Sequence, residues 1–589
     1  MKSSRTIAML VVIALMLSAG CFVEVPSEKP VSRPKAVCPR PVQPIQMEPM
    51  SDPDEFDDQG PYMDLEPNII VPTDYPSIQE AEDNSCVGDV ILVRPGTYLE
   101  SVTIDTEGLY LLGEGSSMTR IVSPLGPAVR IAADGVSVNS VGMEGGGVLM
   151  DHVIGAYLIS SSVSNTMVGA TLIGTTESHV MGTTFQSVQV GIKIGSMSND
   201  NEIGPSNSLS QLNVGITVEG DSRNNEIFQN RLTQAGMGIL VDQSPNNLLH
   251  HNTFSDIGGF AVEIHGGSDT TVLSGNEAWD VMGGFSVDDT NDVTLIGNAM
   301  SATGDSVILH NVVKASLRNN SLLSSVHAAL LIESGTQDVT VEDNVFRASP
   351  FGIQADGVVG LRVEGNQFGG GEVGLEVTSG GSPTIVDNRF SHQSRASLRL
   401  LSSPSATVSD NQFLKGLDWS IEAIGSTDIK IQGNSILSHQ DGIFLENAND
   451  ATIENNEVKS SGTGIQITTS PGTGVSGNTL ARNDVGVELQ SNGVSLHHNW
   501  LADNLLQVGQ SMIGQNSWDD GSGHGNFWSD YDGEDLDYDG VGDTLIPHLG
   551  VDSFPLMKED FDSFQIFIDL VEEARSKILA SGIHHGIQN

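Results

Sequence analysis

The sequence predicts an all-β protein, a single-stranded parallel β-helix with three-strand coils of about 22 residues and a short capping helix at each end. Three observations carry this. One asparagine position recurs at a nearly constant spacing. Short apolar runs alternate with polar residues between Gly, Asn, Asp and Ser breaks. Glycine is frequent (66) and aromatic residues are scarce (5%), which suits a chain of many tight turns. At 589 residues the chain is too long for one compact core, so a repeat array or several domains are required.

Residues 1–21 have the parts of an export signal. Lys2 and Arg5 precede an apolar run, Ile7–Leu17, which leads to Ser18-Ala19-Gly20 and Cys21. The run is shorter than the roughly 20 residues of a membrane-spanning helix. Its end resembles the lipobox of exported lipoproteins, with Leu17 one place early. Cys21 is therefore the expected lipidation site, with the protein held on the outer face of the cell membrane. Residues 22–68 contain ten of the 23 prolines and the acidic run "SDPDEFDD". Proline fixes φ and removes donors, so this segment is expected to be an extended stalk.

The repeat occupies residues 69–510. Its motif is apolar, any, small or polar, Asn, any, apolar, as in "VEDNVF", "IVDNRF" and "IQGNSI". The asparagines are Asn207, Asn230, Asn252, Asn276, Asn298, Asn320, Asn344, Asn366, Asn388, Asn411, Asn434, Asn456, Asn478 and Asn499, and every gap between successive ones is 21–24 residues. Such a period is that of a solenoid, and the L-x-x-L-x-L framework of leucine-rich repeats is absent. Strand-like segments such as "GIQITTS" then make each unit one coil of stacked parallel strands, about 4.8 Å from the next. Asn tolerates the αL conformation of a tight corner, and stacked amides can bond from turn to turn. Both roles are expected of this asparagine column. Before residue 200 the period loosens, and Thr183 takes the Asn slot in "VMGTTF".

Both ends of a coil need covers. "YPSIQEAEDN" offers Ser77 and Glu80 as a capping box for a short N-terminal helix. Residues 511–557 form an acidic end segment. In residues 558–589, Phe561, Phe564, Ile568, Val571 and Ile578 share one helical face, which caps the coil or docks a partner.

Two stretches carry a family resemblance. Ile69–Ile104, with "GDVILVRPGTYLE", resembles the opening of pectin-lyase-like right-handed β-helix proteins. Gly525–Met557, "GNFWSDYDGEDLDYDGVGDT" through "FPLM", resembles the end segment of the NosD-like group, named after a nitrous oxide reductase maturation factor. The resemblance implies a right-handed parallel β-helix. For function it implies several classes: polysaccharide lyases and hydrolases, uronan epimerases, carbohydrate-binding surface proteins and copper-linked maturation proteins. Fold alone does not choose among them.

The net charge of −49 disfavours nucleic acid as a partner and favours cations. The densest acidic cluster is "DLDYDGVGD". Asp535, Asp537 and Asp539 take positions 1, 3 and 5 of a calcium loop, Gly540 the turn, Val541 the carbonyl position 7 and Asp543 position 9. Ile546 stands where an EF-hand has its bidentate Glu. Calcium is the expected cofactor, with a solvated acidic turn as the alternative. Trp500, Trp518, Trp528, Tyr531 and Tyr538 cluster nearby, to plug the coil or to stack on sugars. Lyase-type chemistry needs acids beside a basic residue on one face. Arg362 and Arg389 hold different places relative to their asparagines, and Asp288-Asp289 and His265 lack the full galacturonase motifs. Copper would need clustered His or Met. "HHN" occurs at His250-His251 and His497-His498, eleven repeats apart, or about 50 Å, too far to share an ion. Strand alternation would put one ring of each pair in or near the wall. The expected function is binding of extracellular polysaccharide or another surface polymer without catalysis, steadied by calcium. A polysaccharide lyase or hydrolase is the first alternative and a copper maturation factor the second.

Overall fold

The computed structural model describes residues 65–123, 125–509 and 515–557. The export signal with Cys21, residues 22–64 of the proline-rich linker and the expected helix beyond residue 557 lie outside the described residues. No helix among those described is long and apolar enough to cross a membrane.

The described chain is a parallel β-solenoid. One sheet holds 20 strands, one from each successive turn, and the other 35 strands form a second hydrogen-bonded sheet. A representative turn runs through Thr384–Val386, Arg389–Ser391 and Ala396–Leu401. Each strand pairs in register with its counterparts one turn before and after. Between residues 208 and 288 the second and third strands merge into long ones such as Arg231–Asp242 and Thr253–His265.

Register stacks like residues into columns. Leu317, Val341, Val363, Ile385 and Val408 follow one another down the interior, all fully buried. A second column carries Phe346, Phe368, Phe390 and Phe413, with successive ring centroids 4.9, 4.5 and 4.9 Å apart and nearly parallel planes. Offset ring pairs of this kind contribute about 0.5–1.5 kcal/mol each beyond area burial.

The fourteen repeat asparagines are buried and form one ladder. The Asn366 side-chain amide donates to Asn388 Oδ1 (3.0 Å) and to the Val341 carbonyl (2.8 Å), and its backbone N–H donates to the same Oδ1 (2.9 Å). Thr183 N–H continues the column upward by donating to Asn207 Oδ1. The expectation that these asparagines adopt αL is corrected. The positive-φ residue is the one before each: Asp343 (φ 55), Gly365 (68), Asp387 (55) and Asp410 (58) are examples. This explains why the motif has a small or polar residue there, since those types tolerate αL best.

The N-terminal helix spans Ile78–Asp83, with Ser77 as N-cap accepting from Glu80 N–H. Glu100 of the "PGTYLE" stretch accepts from Ile78 and Gln79 N–H, 3.0 Å each. Buried Glu82 accepts from Asp105 N–H and from the Thr106 N–H and hydroxyl, which fastens the helix over the coil.

His439 is a titratable group buried in the coil. It is 3% exposed, edge-on to Phe413, with Nε2 3.2 Å from Ser397 Oγ. Burial lowers its pKa from 6.5 to about 4, so the fold favours the neutral ring. The associated stability is present above pH 6.5 and is lost as pH falls from there through 4, a loss of roughly 3 kcal/mol. Urea unfolding at pH 7 and pH 4 should show the wild type losing more stability than His439→Gln by about that amount. Equal losses would reject the assignment.

Candidate metal centre

The ladder corner shapes this centre. Where the residue before the asparagine is His251 (φ 53) or His498 (φ 56), the αL backbone turns its ring toward the ring of the preceding strand residue. The two pairs adopt the same geometry. His250 and His251 have Nδ1 atoms 2.9 Å apart with planes at 84°; His497 and His498 have Nδ1 atoms 2.9 Å apart with planes at 87°. Strand alternation stops at the αL residue, so the two rings of each pair meet.

At the C-terminal end the chain adds further partners. His498 N–H donates to the Gly525 carbonyl, and Asn499 donates to Asn526 Oδ1 through its side-chain amide (2.9 Å) and N–H (3.1 Å). Asn526 is therefore another rung, after a longer turn of 27 residues. That turn carries "DDGSGHG". Asp520 accepts from Ser522 N–H, Ser522 Oγ and His524 N–H, which curls the loop around its carboxylate. His524 Nδ1 then lies 3.3 Å from Asp520 Oδ2, and His498 Nε2 lies 4.0 Å from it. The three ligand atoms fall within 4.8 Å of one another. The side chains of His498, His524 and Asp520 are 37%, 48% and 21% exposed, so the group opens to solvent. His498 also presents Nδ1 to His497.

The electrostatics suit a cation. The Ser522 hydroxyl, with the loop N–H groups and His524, holds the Asp520 carboxyl far below the usual carboxylate range. Burial and neighbouring His497 lower the pKa of His498, which favours the neutral ring with a lone pair on one nitrogen. Two imidazoles and a carboxylate form a donor set for borderline transition ions rather than for calcium. Asp520, His524 and Asn526 were missed from sequence. The available signal was "HGN", an echo of "HHN" with glycine before the asparagine.

The ladder ends on Asp552, which is 0% exposed. Its carboxylate accepts from Asn526 N–H, Trp528 Nε1 and Phe554 N–H. Trp528 (1% exposed) and Trp518 (4%) plug the coil end, while Tyr538 is 91% exposed.

In the acidic loop, the carboxylates of Asp535, Asp537 and Asp539 come within 4.8 Å of one another. Asp535 accepts from Tyr538 and Gly540 N–H, Asp539 from Val541 N–H and Asp543 from Leu536 N–H. Val541 is 9% exposed and bridges Leu556. Asp543 stands outside the close trio.

The outer wall carries a second polar group. Register aligns Gln354, Glu376, Arg399, Glu422 and Phe444 on successive turns. Arg399, 11% exposed, bonds Glu376 and Glu422 at 2.5 Å each. Trp419 stacks on Phe444 beside it, with centroids 5.0 Å apart. Burial, then the charges of Asp441 and Glu422, raise the pKa of Asp418. Arg362 and Arg389 belong to different sheets, as their spacing suggested. His265 and His310 flank Asp288 as an ion-paired column.

Among known proteins, the family described as "Periplasmic copper-binding protein (NosD)" matches residues 221–350 and 347–533. Comparison with curated proteins returned no match. A PL6 alginate lyase in complex with a trisaccharide is 14% identical with a TM-score of 0.37, covering 58% of this chain and 84% of that one. PfbA, a surface adhesin of Streptococcus pneumoniae, is 12% identical at 0.33, covering 58% and 86%. An alginate lyase from Paenibacillus sp. str. FPU-7 is 14% identical at 0.31, covering 41% and 91%.

Proposed function

The chain belongs to the NosD family of periplasmic copper-binding proteins, matched over more than half its length, and from that premise we propose that it is an exported β-helix protein that holds a copper ion at His498, Asp520 and His524. The observation that carries this is the convergence of two imidazole nitrogens and one carboxylate within 4.8 Å at an exposed corner. The export signal and Cys21 support a lipid-tethered position outside the cell. Calorimetric titration of metal-stripped protein with Cu²⁺ should show His498→Asn and His524→Gln each weakening this centre at least about 10-fold. Affinity unchanged in both variants would remove the reading.

Binding of extracellular polysaccharide is the second reading. It is favoured by the Trp419–Phe444 stack beside the Arg399 ion-pair rung. An aromatic face packs against the apolar face of a sugar ring, and flanking charges hold its hydroxyls. Trp419→Ala should reduce retention on immobilised acidic and neutral polysaccharides about 10-fold. Retention equal to wild type on every polymer that binds would exclude this face.

We further propose that the acidic loop holds calcium, supported by the Asp535, Asp537 and Asp539 trio. Millimolar calcium should raise the thermal midpoint of the wild type and leave Asp537→Asn unmoved. A midpoint insensitive to calcium in both would count against a bound ion.

A further inference from the structure

We propose that His250 and His251 form a second, independent site for one tetragonal divalent ion, Cu²⁺ by preference, with Glu226 as its positioning residue. The pair lies eleven ladder rungs from His497-His498, about 50 Å away, and shares no ligand with the first centre.

The geometry begins with the bite. With metal–nitrogen bonds of about 2.0 Å, an Nδ1–Nδ1 separation of 2.9 Å subtends roughly 90° at the ion. That is the cis angle of a square-planar or tetragonal site; a tetrahedral ion such as zinc would spread the nitrogens to about 3.3 Å. The rings stand at 84° to each other, so two lone pairs can meet at one point without ring contact.

The surroundings hold this arrangement. Glu226 Oε1 lies 2.6 Å from His250 Nε2. A carboxylate there accepts a hydrogen bond from Nε2–H, the tautomer that puts the lone pair on Nδ1 and the arrangement found behind metal-bound histidines. Phe228 stacks on His250, with centroids 5.2 Å apart and planes at 5°, which fixes the ring. His251 is held by its αL backbone, by its N–H bond to the Ser274 carbonyl (3.0 Å) and by Asn252 of the ladder behind it. Gly275 lies beneath the ring, where a Cβ would approach His251 Nε2 to 3.0 Å. The His250 side chain is 19% exposed and His251 is exposed, so hydrated ions reach the pair.

The test uses the full-length protein, stripped of metal and titrated with Cu²⁺, read by calorimetric stoichiometry and by electron paramagnetic resonance. His498→Asn, which disables the first centre, should still bind one equivalent, with hyperfine splitting from two imidazole nitrogens. Adding His251→Asn, which keeps an αL-tolerant residue, should abolish that equivalent. Adding Glu226→Gln instead should weaken it about 10-fold while leaving the metal-free unfolding midpoint in place. No copper bound by His498→Asn, or no change on adding His251→Asn, overturns the proposal. If the wild type binds one equivalent that His251→Asn removes and His498→Asn does not, the first centre fails and this one stands.

Discussion

A parallel coil buries a corner of backbone in every turn, and those corners must find hydrogen bonds that strand pairing does not supply. The asparagine ladder meets that requirement. Each amide donates to the carbonyl of an earlier turn and to the next amide oxygen, which also receives a backbone N–H. A buried donor or acceptor left unpaired costs about 1–3 kcal/mol, so a turn that slipped by one residue would strand several at once. The ladder therefore sets the register of everything outside it, including the apolar and phenylalanine columns.

The same corner makes functional geometry available. The residue before each of the fourteen repeat asparagines is held in αL whatever its side chain. With Asp or Gly there, the corner is only a turn. With His there, two adjacent rings converge at 2.9 Å. At the last turns the ladder does more. By accepting Asn526 after a turn of 27 residues, it leaves room for a loop that carries Asp520 and His524 to His498. Asp552 then terminates the column as a carboxylate that accepts three donors. Closing the fold and grouping His498, Asp520 and His524 thus use the same few residues.

Much of the fold was legible because a solenoid writes its geometry into the chain as a period. The Asn spacing and the capping box at Ser77 are local signals. The αL assignment went to the wrong residue, Asn instead of its predecessor, because both sit in one corner and composition does not separate them. Of the candidate metal centre, His498 was visible as part of "HHN", whereas Asp520 and His524 were not. Their approach depends on an irregular turn that breaks the period the eye follows. Arg399 showed nothing in sequence of its two carboxylate partners, which come from the preceding and following turns.

By itself the sequence determined the period, the stacking, the identity of the ladder and the N-terminal cap, since each arises from neighbours along the chain or from exact repetition. Only the tertiary structure decided which side chains meet. Residues about 22 positions apart become neighbours once turns stack, and rings that alternation would separate are brought together by a single αL residue. The grouping of His498 with Asp520 and His524, and of Trp419 with Phe444, is a property of the stack. No local pattern encodes it.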